Sequence, residues 1–175
     1  MNYFFSYFTS SLSFRTLLFL CSLILVFRLC NISEKETSWD VLGYYLPLPA
    51  TFIYEDPLME NREWIQQVNK EWQLTDTLYQ LSSTPDGRPM YFFLLGMAML
   101  FLPFFLLGHG CAFLLDYPMD GFSMPYQVAM VVGGLLYTFA GLYFLRKILL
   151  HFFPEKLSSI VILILVLATN YSHHL

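Results

Sequence analysis

Long apolar runs alternate with polar stretches along this chain, and the alternation predicts membrane helices. Leu12–Cys30 is apolar except for Arg15 and Arg28 near its ends. Nineteen helical residues at ~1.5 Å each give close to 30 Å, the thickness of a hydrocarbon core. Both arginines have stems long enough to snorkel to the headgroups. Val26-Phe27-Arg28-Leu29-Cys30 lacks a small-x-small cleavage site, so residues 1–30 read as a retained anchor, not a signal peptide. Met90–Leu115 carries no charge but is broken by Gly96, Pro103, Gly108, His109 and Gly110, and Met124–Leu145 is a further uncharged run. The last run, Leu157–Thr169, makes a helix only ~20 Å long, short of a comfortable span.

Between the first two runs lies a polar loop, Asn31–Pro89, punctuated early by Pro47, Pro49 and Pro57. Trp64, Ile65, Val68, Trp72, Leu78 and Leu81 recur at helical spacing, which predicts an amphipathic helix over Glu60–Leu81. Two tryptophans on one flank and Glu63, Lys70 and Glu71 on the other suit the membrane interface. The alternative is a helix packed on the loop's own small core. Ser83-Thr84-Pro85-Asp86-Gly87 reads as a turn. The expected fold is therefore an all-α membrane protein of three to four apolar helices with a 59-residue outer loop that contains an interfacial amphipathic helix.

Composition supports this class. The chain is 57% hydrophobic, 19% aromatic and 13% charged, where soluble domains carry about 25% charge. Ten acids against four bases in the polar loop place it on the non-cytoplasmic side, with the N-terminus inside. A full crossing by Met90–Leu115 would then put Arg146, Lys147 and Lys156 outside, against the positive-inside bias. Residues 90–123 are therefore expected to be re-entrant, returning at Pro103, or to lie along the outer surface. Residues 124–145 are expected to cross, 146–156 to form a basic cytoplasmic loop, and 157–175 to be an incomplete span. Nine scattered bases and a net charge of −4 offer no stripe for nucleic acid. Cys21, Cys30 and Cys111 form no CxxC spacing and read as small buried apolar side chains.

Chemistry concentrates after the anchor, in Ser38-Trp39-Asp40-Val41-Leu42-Gly43-Tyr44-Tyr45-Leu46-Pro47. A carboxylate held near the bilayer loses part of its solvation, so Asp40 can ligate a cation or take a proton from a hydroxyl. Glu55 and Asp56 add a second acidic pair of the kind Mg²⁺ or Mn²⁺ uses. The structural alternatives are a helix N-cap for Asp40 and a turn acid for Asp56 before Pro57. His173-His174 lacks a nearby third ligand and makes a poor metal site.

The pattern Asp40-x-x-Gly43-Tyr44-Tyr45-x-x-x-Pro49-Ala50 after a first anchor resembles the start of GT-C glycosyltransferases, polytopic enzymes that take a sugar from a polyprenyl-phosphate carrier. The nearest branches are the protein-mannosyltransferase-like and aminoarabinose-transferase-like ones of Gram-negative bacteria. Gly87-Arg88-Pro89-Met90-Tyr91-Phe92, Leu102-Pro103-Phe104-Phe105…His109 and Asp120-Gly121-Phe122-Ser123-Met124-Pro125-Tyr126-Gln127 resemble later family segments in order. The resemblance implies transfer at the periplasmic face of the bacterial inner membrane. Asp40 would be the catalytic acidic residue, Arg88 would face the donor phosphate, and Glu55 or Asp56 would be a second acid or metal ligand. Tyr44, Tyr45 and His109 would line the cavity. Its implied partners are the bilayer, a lipid-linked sugar donor and further spans, from this chain's continuation or a partner chain. Family members run to several hundred residues, so this is expected to be an N-terminal portion, inactive alone. The competing expectation is a small non-catalytic membrane subunit that binds a partner through Trp64 and Trp72.

Overall fold

A computed structural model describes residues 11–83, 85, 89–169 and 171. Among the described residues the fold is helical, with one small hairpin, and three helices are long and apolar enough to cross a membrane. In chain order the elements are α1 (Leu12–Cys30), α2 (Trp39–Tyr45), α3 (Pro47–Phe52), α4 (Arg62–Trp72), β1 (Leu81–Ser83), β2 (Pro89–Tyr91), α5 (Leu95–Leu114), α6 (Met124–Phe152) and α7 (Glu155–Ala168). They form two compact units. One holds residues 1–31 and 134–175, the other residues 32–133.

In the first unit α1 starts at Ser11, whose hydroxyl accepts from the Phe14 N–H. It ends where the Asn31 side-chain amide donates to the Phe27 carbonyl. Ser13, Leu17, Leu20 and Ile24 make a buried stripe at helical spacing, and α7 packs against α1. Phe19, Val26 and Phe27 stay more than half exposed on the rest of α1. A helix apolar all round, with phenylalanine on its open face, suits lipid and not water.

Four polar side chains of this unit meet at one end. Buried Arg146 donates to the Ser13 hydroxyl at 2.9 Å and the Ser11 hydroxyl at 2.8 Å, and lies over the Phe14 ring. Glu155 accepts from the Ser13 N–H at 3.2 Å and its hydroxyl at 3.1 Å. The start of α1, the last turns of α6 and the start of α7 therefore share one level. The basic loop expected over 146–156 is corrected here: α6 runs on through Arg146 and Lys147 to Phe152. The chain breaks only at Pro154, which has no N–H to continue a helix.

In the second unit the stretch after the anchor is not open loop. Pro47 and Pro49 fall in the first turn of α3, where backbone N–H groups have no helical partner to lose. The amphipathic helix is shorter than the expected Glu60–Leu81. Asn61 caps it, and it stops at Trp72 because Gln73 turns left-handed and the Asn69 amide bonds both backbone groups of Thr75. Ile65 and Val68 are buried and both tryptophans pack on the unit's own core, the contact set of the alternative weighed against the membrane interface. The expected turn lies between β1 and β2, paired Leu81 to Tyr91. Residues 84 and 86–88 of it are outside the described residues.

Met90 and Tyr91 belong to β2, and α5 begins only at Leu95. Pro103 does not return the chain: α5 is unbroken through it. Phe105, Tyr45, Phe122 and Tyr126 pack edge-on or tilted at the centre of this unit. Gly121 takes φ +89°, and a Cβ there would meet Pro49 at 2.8 Å, so the turn admits only glycine. All three cysteines are free thiols, and Cys30 and Cys111 are exposed, not buried as expected.

Candidate functional site

Asp40 sits in the first turn of α2, with its side chain exposed. Its backbone approach is fixed by separate segments of the second unit. Gln127, fully buried, accepts from the Thr37 N–H and donates to the Thr37 hydroxyl, each at 3.0 Å. Trp39 takes φ +53°, a conformation that costs a bulky residue on the order of 1–2 kcal/mol. It is held there from both sides: its N–H donates to the Leu74 carbonyl at 3.1 Å, and its carbonyl accepts from the buried Gln80 amide at 2.8 Å. The Tyr79 hydroxyl then donates to Asp40 Oδ1 at 2.5 Å. Partial burial and this bond to a carboxylate raise the Tyr79 pKa, so its proton stays on the phenol.

Two other acids, Asp56 and Asp120, are committed to bonds within the fold. Asp56 accepts from the Glu60 and Asn61 N–H groups at 2.9 and 3.1 Å and from the Trp64 indole at 3.0 Å. Asp120 accepts from the Phe122 and Ser123 N–H groups and from the Trp72 indole. Glu55 is exposed, at φ +52°. Among the described residues no three His, Cys, Asp or Glu side chains gather to hold a metal ion. Asp56, one of the acids whose spacing suggested a Mg²⁺ or Mn²⁺ site, is bound to the N–H groups just before α4.

Tyr45 is wholly buried, and its hydroxyl donates to the Gly121 carbonyl. Burial, with Tyr126 and Asp120 nearby, raises its pKa. It is a core strut and not an open cavity wall. Tyr44 is half-buried, its ring edge-on to Phe93 at 4.9 Å, and a Cβ on Gly43 would collide with that same Phe93. His109 is half-buried on α5, with Nδ1 at 2.5 Å from the Tyr126 hydroxyl. Arg88 lies outside the described residues. The sequence reading missed Trp39, Tyr79 and Gln80. Only the closely spaced polar residues of the loop hinted at them, because their partners are about 40 positions away.

Apart from Asp40, a concave feature lies between α4 and the turn before α6. This cleft of about 270 Å³ is lined by Tyr54, Trp64, Gln67, Glu71, Pro118 and Asp120, among others. A second, of about 410 Å³, is almost wholly apolar and runs between α5 and the start of α6, past Phe104, Leu107 and Val128. No family model, curated protein or solved structure matches the chain.

Proposed function

We propose that this chain is the membrane-anchored N-terminal module of a glycosyltransferase that moves a sugar from a polyprenyl-phosphate donor to a hydroxyl acceptor at the outer face of a bacterial inner membrane. The observation that carries this reading is the contrast of Asp40, close after the anchor, with the two aspartates that bond within the fold. Asp56 and Asp120 are occupied by backbone and indole N–H groups, whereas Asp40 is exposed, shortly after the anchor, with only the Tyr79 hydroxyl on it among the described residues. That bond leaves Asp40 Oδ2 to take the acceptor's proton as the acceptor oxygen attacks the anomeric carbon. The bond from that carbon to the carrier phosphate breaks, and polyprenyl phosphate leaves. Arg88 is assigned to the donor phosphate on charge alone.

The bonds of the first unit support the topology this mechanism needs. If α1 and α6 each cross once, the links from Arg146 and Glu155 to Ser11 and Ser13 bring the end of α6 back to the level where α1 began. That leaves α5 no complete crossing. Within the second unit both flanks of α5 hold the same loop: Phe93 meets Tyr44, and Asp120 takes the Trp72 indole. Residues 32–123 then stay at the outer face, and Arg146, Lys147 and Lys156 face the cytoplasm in accord with the charge bias. Both indoles that a partner-binding subunit would use are turned inward onto carboxylates, so that second reading gains no support.

The decisive experiment supplies labelled polyprenyl-phosphate sugar to membranes that carry the protein together with the spans that complete it. Asp40→Asn is expected to lower transfer by about 10²–10⁴-fold at an unchanged level of protein. Retained transfer removes the role of Asp40. The topology is tested in a cysteine-free background: Met119→Cys should react with an impermeant label from outside, and Lys156→Cys only after lysis.

A further inference from the structure

We propose that the cleft between α4 and the turn before α6 is a binding subsite for a single, unphosphorylated sugar ring. This rests on the glycosyltransferase reading only in naming the ring as part of the acceptor. The binding itself follows from the cleft's chemistry.

The Tyr54 and Trp64 rings stack at 4.0 Å and 11°, forming one aromatic slab on the cleft wall. Such a slab offers an apolar surface to the C–H face of a ring. The polar groups around it are mostly acceptors. Glu71 and Gln67 are exposed on α4. Neither is used by a side-chain hydrogen bond of the fold among the described residues. The Tyr54 hydroxyl donates to the Asp120 carbonyl at 3.2 Å, and its oxygen remains free to accept. Burial, with Asp120 and Glu71 nearby, pushes the Tyr54 pKa up to about 12, so that hydroxyl keeps its proton at neutral pH.

Acceptors call for a ligand rich in donors, which hydroxyl groups supply. Two carboxylates and no Lys, Arg or His among the described lining residues reject phosphate, so the carrier phosphate belongs elsewhere. The volume, about 270 Å³, lies just under the ~300 Å³ at which sites for drug-sized ligands begin. One ring fits; a lipid-linked donor does not. The larger pocket, along α5, is almost wholly apolar and offers a sugar few partners.

The test uses the full chain in nanodiscs, with methyl glycosides of glucose, mannose and galactose as probes and saturation-transfer NMR as the readout. At least one glycoside should give saturable transfer to its ring protons. Excess inorganic phosphate should leave that signal unchanged. Glu71→Gln and Gln67→Ala, both exposed and outside the core, should each weaken it about tenfold. Asp40→Asn should leave it unchanged, which separates this site from the catalytic reading. Loss of transfer activity in Asp40→Asn with no glycoside binding in the parent overturns the subsite and spares the mechanism. Glycoside binding with activity retained in Asp40→Asn does the reverse. Binding of methylammonium and of none of the glycosides overturns the sugar assignment. So does glycoside binding that both α4 variants leave intact.

Discussion

The two units use polar side chains in opposite ways. In the first, polar groups are few and bond to one another: Arg146, Ser11, Ser13 and Glu155 join helices whose remaining faces are apolar. In the second, acids are plentiful and the fold spends them on backbone: Asp56 starts α4, and Asp120 shapes the turn before α6. Where no water is at hand, a polar group needs a partner from the protein. In the second unit Asp40 is left exposed, with the Tyr79 hydroxyl on it.

Substitutions rank this contrast by size. Arg146→Ala should be the most damaging, because it leaves two serines and Glu155 without their cation. A loss of about 3 kcal/mol is expected, read as an earlier midpoint in detergent-driven unfolding. Asp56→Ala comes next. Two N–H groups and an indole lose their acceptor, costing about 2 kcal/mol after allowance for solvent access, with faster amide exchange over residues 60–64. Tyr45→Phe should cost about 1 kcal/mol by leaving the Gly121 carbonyl unpaired in the core. If Tyr45→Phe exceeds Asp56→Ala, the second unit depends on its core more than on its acids.

The smallest effect is a pH dependence in the first unit. Hydrogen bonds from Ser11 and then Ser13, with Arg146 nearby, hold the Glu155 pKa below the ordinary carboxylate value. A carboxylate lowered on folding contributes stability that is present above its unfolded pKa and lost as pH falls through the folded one. Amide exchange at Ser13 should therefore quicken as pH drops below the usual carboxylate range, after correction for intrinsic rates. Glu155→Gln should abolish that dependence.

The helical class and the span of α1 were legible because apolar runs of 19 or more residues leave few other folds. The short span of α4 was not. Ile65, Val68, Leu78 and Leu81 all suit one helix face, but the Asn69–Thr75 bonds reverse the chain between them. The extent of α6 was misjudged for a similar reason: Arg146 and Lys147 read as loop, while Ser11 and Ser13, more than 130 positions earlier, bury the guanidinium in a helix. At the candidate site Asp40 stood out by its place after the anchor. Its holders Tyr79, Gln80 and Gln127 carried no local signal.

Hydrophobic periodicity, charge balance and proline placement alone thus determined that this chain makes apolar helices and an acidic loop, since each is a property of neighbouring residues. Which aspartates are bonded into the fold and where a helix yields to a turn depend on bonds between residues far apart in sequence. Only the packed chain brings those partners within hydrogen-bonding distance of each other, and so only the tertiary structure could decide them.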